Sequence, residues 1–221
     1  IPDTSYLKDK NIIGLILTHG HEDHIGAIPH FLQNFPNIKI YGTRLTAAFL
    51  KAKLSEYKNE YKDTKIYELE PRNKIKLGIN FEIEFIRVNH SIPDGVGVAI
   101  KTPLGIIIHT GDFKIDLNPT TDRFIDLYKF AEYGENGVLL LLADSTNCQR
   151  EGFSISESAV QDSIIPMFSY KDGMIIVAVF ASSIERIQDL VTAAKVNNKY
   201  VTFSGRSLLK FTKIAEEMGY L

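Results

Sequence analysis

The stretch LTHGHEDHIG, residues 17–26, constrains this chain more than any other. It places three of the six histidines, and an aspartate with them, inside the six residues from His19 to His24, directly behind the apolar run IIGLIL of residues 12–17. That run is short, continuous and rich in β-branched residues, as expected of a buried strand that delivers His19 at its carboxyl end. Ile25, Ile28, Phe31 or Leu32, and Phe35 then recur at helical spacing, and Pro36 closes the pattern. The histidines therefore sit on a strand-to-helix loop.

Downstream, IKIYG reads as a strand and TRLTAAFLKAKLSEYKNEY as a helix, followed by the strand patterns KIYELE, KIKLG, FEIEFIRV, VGVAIKT and GIIIHTGD. Phe81-Glu82-Ile83-Glu84-Phe85 alternates with period two, which predicts a strand with one wet face. From about Asp122 the pattern changes to helix and strand in turn: RFIDLYKFAEYG, VLLLLAD, SESAVQDSIIPMF, MIIVAVF, SIERIQDLVTAAKV, KYVTFSG and SLLKFTKIAEEM. Such alternation predicts right-handed βαβ crossovers and a parallel sheet. A domain boundary is expected near Arg150, giving domains 1–150 and 151–221.

Composition narrows the class. A chain of 221 residues with 44% hydrophobic content can bury one large core or two small ones. Twenty-five basic against 27 acidic side chains leave a formal charge of −2, so bulk charge argues for neither a nucleic-acid nor a membrane partner. The single Cys148 excludes an internal disulfide and fits a reducing compartment, and no apolar stretch reaches the ~20 residues that span a bilayer. A cytoplasmic protein with no membrane association is expected.

Neutral imidazoles and carboxylates are good zinc ligands, and a loop reading His-x-His-x-Asp-His can aim alternate side chains at two adjacent ions. His19 and His21 would share one, Asp23 and His24 the other. A lone capping role explains Asp23 but not four such residues together. His90 in RVNHSIPDGVG and Asp112 in IIIHTGDFK each follow an apolar strand. Taken alone they are a loop histidine and a Gly-Asp turn. Taken with the cluster, His90 is the third ligand of the first ion and Asp112 a carboxylate bridging both. His109, in period two with Ile107, reads as a packed or hydrogen-bonded residue outside the site.

THGHEDHIGA, the isolated His90 and HTGD together resemble motifs two, three and four of the metallo-β-lactamase superfamily. IPDTSYL, TGDFKIDLNP, LLADSTNCQREGFS, FASSIERIQ and SGRSL are similar to the ribonuclease J family of its β-CASP branch, over nearly the whole chain. The resemblance implies an αββα sandwich with a dinuclear zinc site at one edge, manganese being a second option, and an inserted βαβ β-CASP domain that begins after Arg150. It implies His19, His21 and His90 on one zinc, Asp23 and His24 on the other, and Asp112 on both. It also implies catalytic roles for Asp23, orienting the attacking water, and for Asp144 in LADSTN, which spacing alone reads equally well as a turn-capping aspartate. The implied activity is hydrolysis of RNA phosphodiester bonds, exonucleolytic from the 5′ end or endonucleolytic, in RNA processing and decay. The implied partners are single-stranded RNA and further copies of the chain, in a dimer or tetramer.

Ser182, Ser183 and Arg206 are candidate phosphate contacts. Ser182-x-x-Glu185 is also a capping box, which explains both polar residues without a ligand. The family often carries histidine at the position of Glu185. It also has an aspartate motif upstream and a later histidine that completes the second ion, whereas no histidine follows His109 here. The chain is therefore expected to be a piece of a longer enzyme, holding at most one well-occupied metal by itself and inactive alone. Two other readings stay open: a thioester or lactone hydrolase with the same cluster, and a non-catalytic paralogue kept for assembly.

Overall fold

The computed structural model describes residues 3–57, 60–169 and 173–221. Ile1 and Pro2, and Lys58 and Asn59 near the end of the helix expected to reach Tyr61, lie outside the described residues. The chain divides into two compact units. The first comprises Ile1–Val88, Asp94–Phe113 and Asp126–Thr146; the second comprises Asn89–Pro93, Lys114–Ile125 and Asn147–Leu221.

The first unit contains two sheets. β1 (Leu15–Ile16), β2 (Ile40–Gly42) and β3 (Ile66–Glu68) pair in parallel in that order. β4 (Lys74–Leu77), β5 (Phe81–Arg87), β6 (Val96–Thr102) and β7 (Gly105–His109) form an antiparallel meander, to which β8 (Leu140–Leu142) adds in parallel beside β7. Tyr41 of β2 packs with Leu77, Ile83, Phe85, Val96 and Val98 of the larger sheet, so the apolar faces of the two sheets share one core. Helix α1 (Glu22–Ile25) and helix α2 (Ile28–Asn34) follow β1, and α3 (Arg44–Leu54) packs on β2 and β3. Phe130 and Tyr133 of α4 (Leu127–Glu135) cover Ile86, Ala99 and Ile108 on the other face of the larger sheet. Helix, sheet, sheet and helix stack as an αββα sandwich.

Three local expectations change. The helix expected to reach Tyr61 ends at Leu54. One helix was expected after the histidines, but the chain forms α1 and α2, broken at Gly26 and Ala27. A side chain at position 26 would meet the Glu22 carbonyl at 2.5 Å, and Pro29 in the first turn of α2 suits a fresh helix start. Glu84, expected on a wet face of β5, is only 2% exposed, because α4 covers that face. Tyr133 donates to its carboxylate at 2.5 Å, and Lys129 and Lys74 lie at 3.1 and 3.2 Å.

In the second unit, helices α5 (Glu157–Met167), α6 (Ile184–Val196) and α7 (Arg206–Glu217) form as the apolar spacing predicts. Ser156 caps α5 by accepting from the Ala159 N–H, and Phe168, Ile164 and Ile165 pack on Leu190, Ala193 and Ala194 of α6. The strands expected in MIIVAVF and KYVTFSG are absent among the described residues. Both segments instead line a cavity of about 730 Å³, and no ladder of backbone hydrogen bonds joins them. The capping box at Ser182 is absent too. The Ser183 N–H bonds the Phe180 carbonyl, so the N-cap falls one residue later, on Ser183, and no side-chain cap bond forms. Glu185 thereby sits at the second helical position, not the third that a capping box needs.

Candidate metal centre

The histidine loop is held from both sheets. The Leu17 N–H bonds the Tyr41 carbonyl at 2.8 Å, continuing the β1–β2 pairing, while the Thr18 carbonyl accepts from the Val96 N–H at 3.0 Å, at the start of β6. Gly20 lets α3 approach closely: a Cβ there would meet the Phe49 ring at 3.0 Å. Lys53 on α3 donates to the Glu22 carboxylate at 2.5 Å, and that hydrogen bond raises the Lys53 pKa. The Asp94 carboxylate, on a residue with φ of 72°, accepts from the Leu45 N–H at 3.2 Å, where Thr43 makes no cap bond of its own.

His21 is the N-cap of α1, and its carbonyl accepts from the His24 and Ile25 N–H groups, so one helical turn folds His24 back over His19. The His19 and His24 rings lie 4.0 Å apart between centroids, and His19 and His21 meet edge-on at 4.7 Å. His19 is 1% exposed. Its Nδ1 lies 3.1 Å from the Thr18 hydroxyl, which leaves Nε2 as the atom turned into the cluster, 3.2 Å from His21 Nδ1. Asp112 Oδ2 lies 3.4 Å from His24 Nε2 and 3.9 Å from His19 Nε2. The exposed Asp23 carboxylate reaches to 3.6 Å from His24 Nε2.

His19, His24 and Asp112 each offer one atom, all within 4.8 Å of one another. Bonds of ~2.0–2.2 Å to a tetrahedral ion set its ligand atoms ~3.3–3.6 Å apart, so two imidazoles and a carboxylate at these separations fit a metal with small adjustment. The donor set, neutral nitrogen with one anionic oxygen, is also that of zinc or manganese rather than of a soft ion.

The other candidates are distributed as follows. His90 lies in the Asn89–Pro93 segment of the second unit, beside Asn89, whose side chain donates to the Arg123 carbonyl at 2.6 Å and accepts from the Ile125 N–H at 3.0 Å. Asp144 belongs to the first unit. Its Oδ1 accepts from both the N–H and the hydroxyl of Thr146, and its own N–H donates to the Thr110 hydroxyl at 3.0 Å. Ser182 and Ser183 precede α6, and the exposed Arg206 opens α7 behind Gly205 at φ 113°, all in the second unit. Sequence reasoning missed Thr18 and Asp94. Thr18 was signalled by its place next to His19. Asp94 was signalled only by its Asp-Gly turn, which says nothing of a helix 49 residues away.

This sandwich, with imidazoles and a carboxylate gathered on the segments that follow β1 and β7, matches the family model of the metallo-β-lactamase superfamily over residues 3–160, and the chain belongs to that superfamily. Residues 172–221 match the β-CASP domain of ribonuclease J. Among curated relatives, ribonuclease J of Synechocystis is 43% identical and ribonuclease J of Thermus thermophilus 41% identical over the whole of this chain. Ribonuclease J2 of Bacillus subtilis is 39% identical over the same extent. The chain spans 35% to 40% of the length of these three relatives. A crystal structure of an Enterococcus faecalis protein of unknown function shares the fold, with a TM-score of 0.59 at 16% identity, covering 87% of this chain and 52% of that one. No described helix is long and apolar enough to cross a membrane.

Proposed function

We propose that this chain supplies the metal-binding part of a cytoplasmic ribonuclease that hydrolyses phosphodiester bonds of single-stranded RNA. The observation that carries the reading is the convergence of His19 Nε2, His24 Nε2 and Asp112 Oδ2 at separations a metal ion would close. The relatives named ribonuclease J support RNA as the substrate. His19, His21 and His90 would hold one zinc or manganese ion and Asp23 and His24 a second, with Asp112 between them. When bound, such ions supply Lewis acidity and bring the pKa of a water toward ~7.

The chain's own residues do the rest. The Thr18 hydroxyl keeps His19 presenting Nε2. The Asp112 carboxylate, 34% exposed, faces both His19 and His24, and so sits where charge must be balanced on either side. Asp23, exposed and 3.6 Å from His24 Nε2, is the carboxylate that would orient the attacking water. Asp144 orders the 144–146 turn beside Thr110. Ser182, Ser183 and Arg206 remain candidate contacts for RNA phosphates. Domains divided near Arg150 and assembly as a homodimer or homotetramer belong to the same proposal.

The test is hydrolysis of single-stranded RNA bearing a 5′-monophosphate by the intact protein, stripped of metal and reloaded with zinc or with manganese. His21→Ala or Asp112→Ala should lower the rate on the order of 10³-fold, the several kcal/mol that metal-centred charge stabilisation provides. Turnover of a thioester or lactone with RNA left intact would replace this reading with the other hydrolase class.

A further inference from the structure

Asp112 follows a turn with little freedom. Gly111 adopts φ of 60°, and a Cβ there would meet the Val96 carbonyl oxygen at 2.8 Å and Thr18 Cβ at 3.0 Å. Only glycine fits, and glycine unrestrained is the most mobile residue a chain contains. Both of its polar groups are held. Its carbonyl accepts from the Thr110 hydroxyl at 2.7 Å, and its N–H donates to His109 Nδ1 at 2.9 Å.

His109 is itself fixed. It ends β7, an interior strand of the larger sheet, in register with Val98 of β6 and Leu142 of β8, while the next N–H, of Thr110, donates to the Leu142 carbonyl at 3.0 Å. Its side chain is exposed and stands outside the possible metal ligands among the described residues. We infer that His109 is a positioning residue: its Nδ1 holds the Gly111 N–H, and the held turn sets the Asp112 carboxylate against His19 and His24. The inference rests on the reading of that cluster as a metal centre. It assigns the histidine that ends β7 a task distinct from ligation, since Nδ1 serves as acceptor for backbone.

The test compares the intact protein with His109→Ala and His109→Asn. Asparagine places an acceptor oxygen at the same remove from Cα as Nδ1, the atom that closes Asx turns onto the N–H two residues ahead. The readouts are zinc affinity, by competition with a chromogenic chelator, and the thermal midpoint of the metal-free protein. His109→Ala should weaken zinc about 10–100-fold, the usual cost of losing a group that orients a ligand. Its metal-free midpoint should move by no more than about 2 °C, as for an exposed side chain. His109→Asn should recover most of the affinity. Parental affinity in His109→Ala, or equal loss in both variants, would overturn the inference while leaving the metal centre standing. A parent protein that binds no zinc would sink the metal-centre reading, and this inference with it.

Discussion

Glu84 on β5 and Glu185 on α6 are both largely buried, and their surroundings push them in opposite directions. Burial alone would raise the pKa of Glu84, but donation from Tyr133 and the ammonium groups of Lys129 and Lys74 outweigh it and hold the carboxyl below its ordinary 4.5. Glu185 is pushed up to about 7, first by burial and then by the neighbouring Glu157, with Asp189 adding to it against Lys114 and Arg123. The second unit does have cations nearby, but they are engaged. Lys114 pairs with Glu157 and Asp116, Arg186 lies 2.8 Å from Glu157 and 3.7 Å from Asp189, and Arg123 stacks over the Tyr220 ring at 4.5 Å. Asp189, 1% exposed, accepts from Gln161 on one oxygen and no hydrogen bond on the other, and its pKa is raised by burial. A buried carboxylate is thus stabilised by dedicated donors, not by net charge in the vicinity.

Breaking the satisfied site should have the largest effect. Glu84→Ala takes away the acceptor of the Tyr133 hydroxyl and one of the two carboxylates at the buried Lys129 ammonium, Glu132 remaining at 2.8 Å, and should destabilise the chain by about 2–4 kcal/mol. Phe85→Ala, one residue on and fully buried between the sheets, should cost about the same through a cavity. Denaturant midpoints at neutral pH measure both. If Glu84→Ala costs less than about 1 kcal/mol, the donors around it are not what makes that burial tolerable.

The next effect has a sign that separates the two glutamates. Unfolded, Glu185 releases its proton near 4.5; folded, it keeps it to about 7. Between those values the folded state holds the extra proton, so stability falls as pH rises from about 4.5 to about 7 and then levels, by on the order of 3 kcal/mol. Glu84 acts the other way: its contribution is complete above 4.5 and is lost only as pH falls through its lowered folded value. Glu185→Gln, neutral at every pH, should therefore stabilise the protein by about 2–3 kcal/mol at pH 8 and leave it unchanged at pH 4. Denaturation across that range checks it, and equal effects at both ends would mean that Glu185 ionises normally in the folded chain.

The same contrast explains which parts of the fold were legible. Period-two and apolar-run signals found β1 to β8 because each of those strands has a partner whose backbone completes it. The three-histidine loop was legible because it is local, and its nearness to Asp112 followed from the strand end that carries HTGD. What sequence could not show depended on distant chain. Glu84 looks wet until α4 arrives over β5. One helix looks continuous through Gly26 until the packing of Glu22 against it is seen. Asp94 caps α3 from another loop. MIIVAVF carries as strong a strand pattern as β6, yet pattern specifies only a capacity to pair.

That last case gives the smallest expected effect, and the cleanest comparison. Ile86 on β5 is fully buried, whereas Ile176 is 86% exposed and Phe180 83% exposed. An apolar side chain stabilises folding in proportion to the area it removes from water, at about 25 cal/mol per Å². Ile176 removes little, so Ile176→Ser should change stability by less than about 0.5 kcal/mol, the range of ordinary surface substitutions. Ile86→Ala should cost about 2–5 kcal/mol. Both are measured by denaturant unfolding of this same 221-residue chain. A cost for Ile176→Ser approaching that of Ile86→Ala would mean that the 174–179 segment is covered in solution, by the 200–204 segment across their shared cavity or by a second copy of the chain. A concentration-dependent midpoint would single out the second copy, since only association between chains makes stability depend on protein concentration.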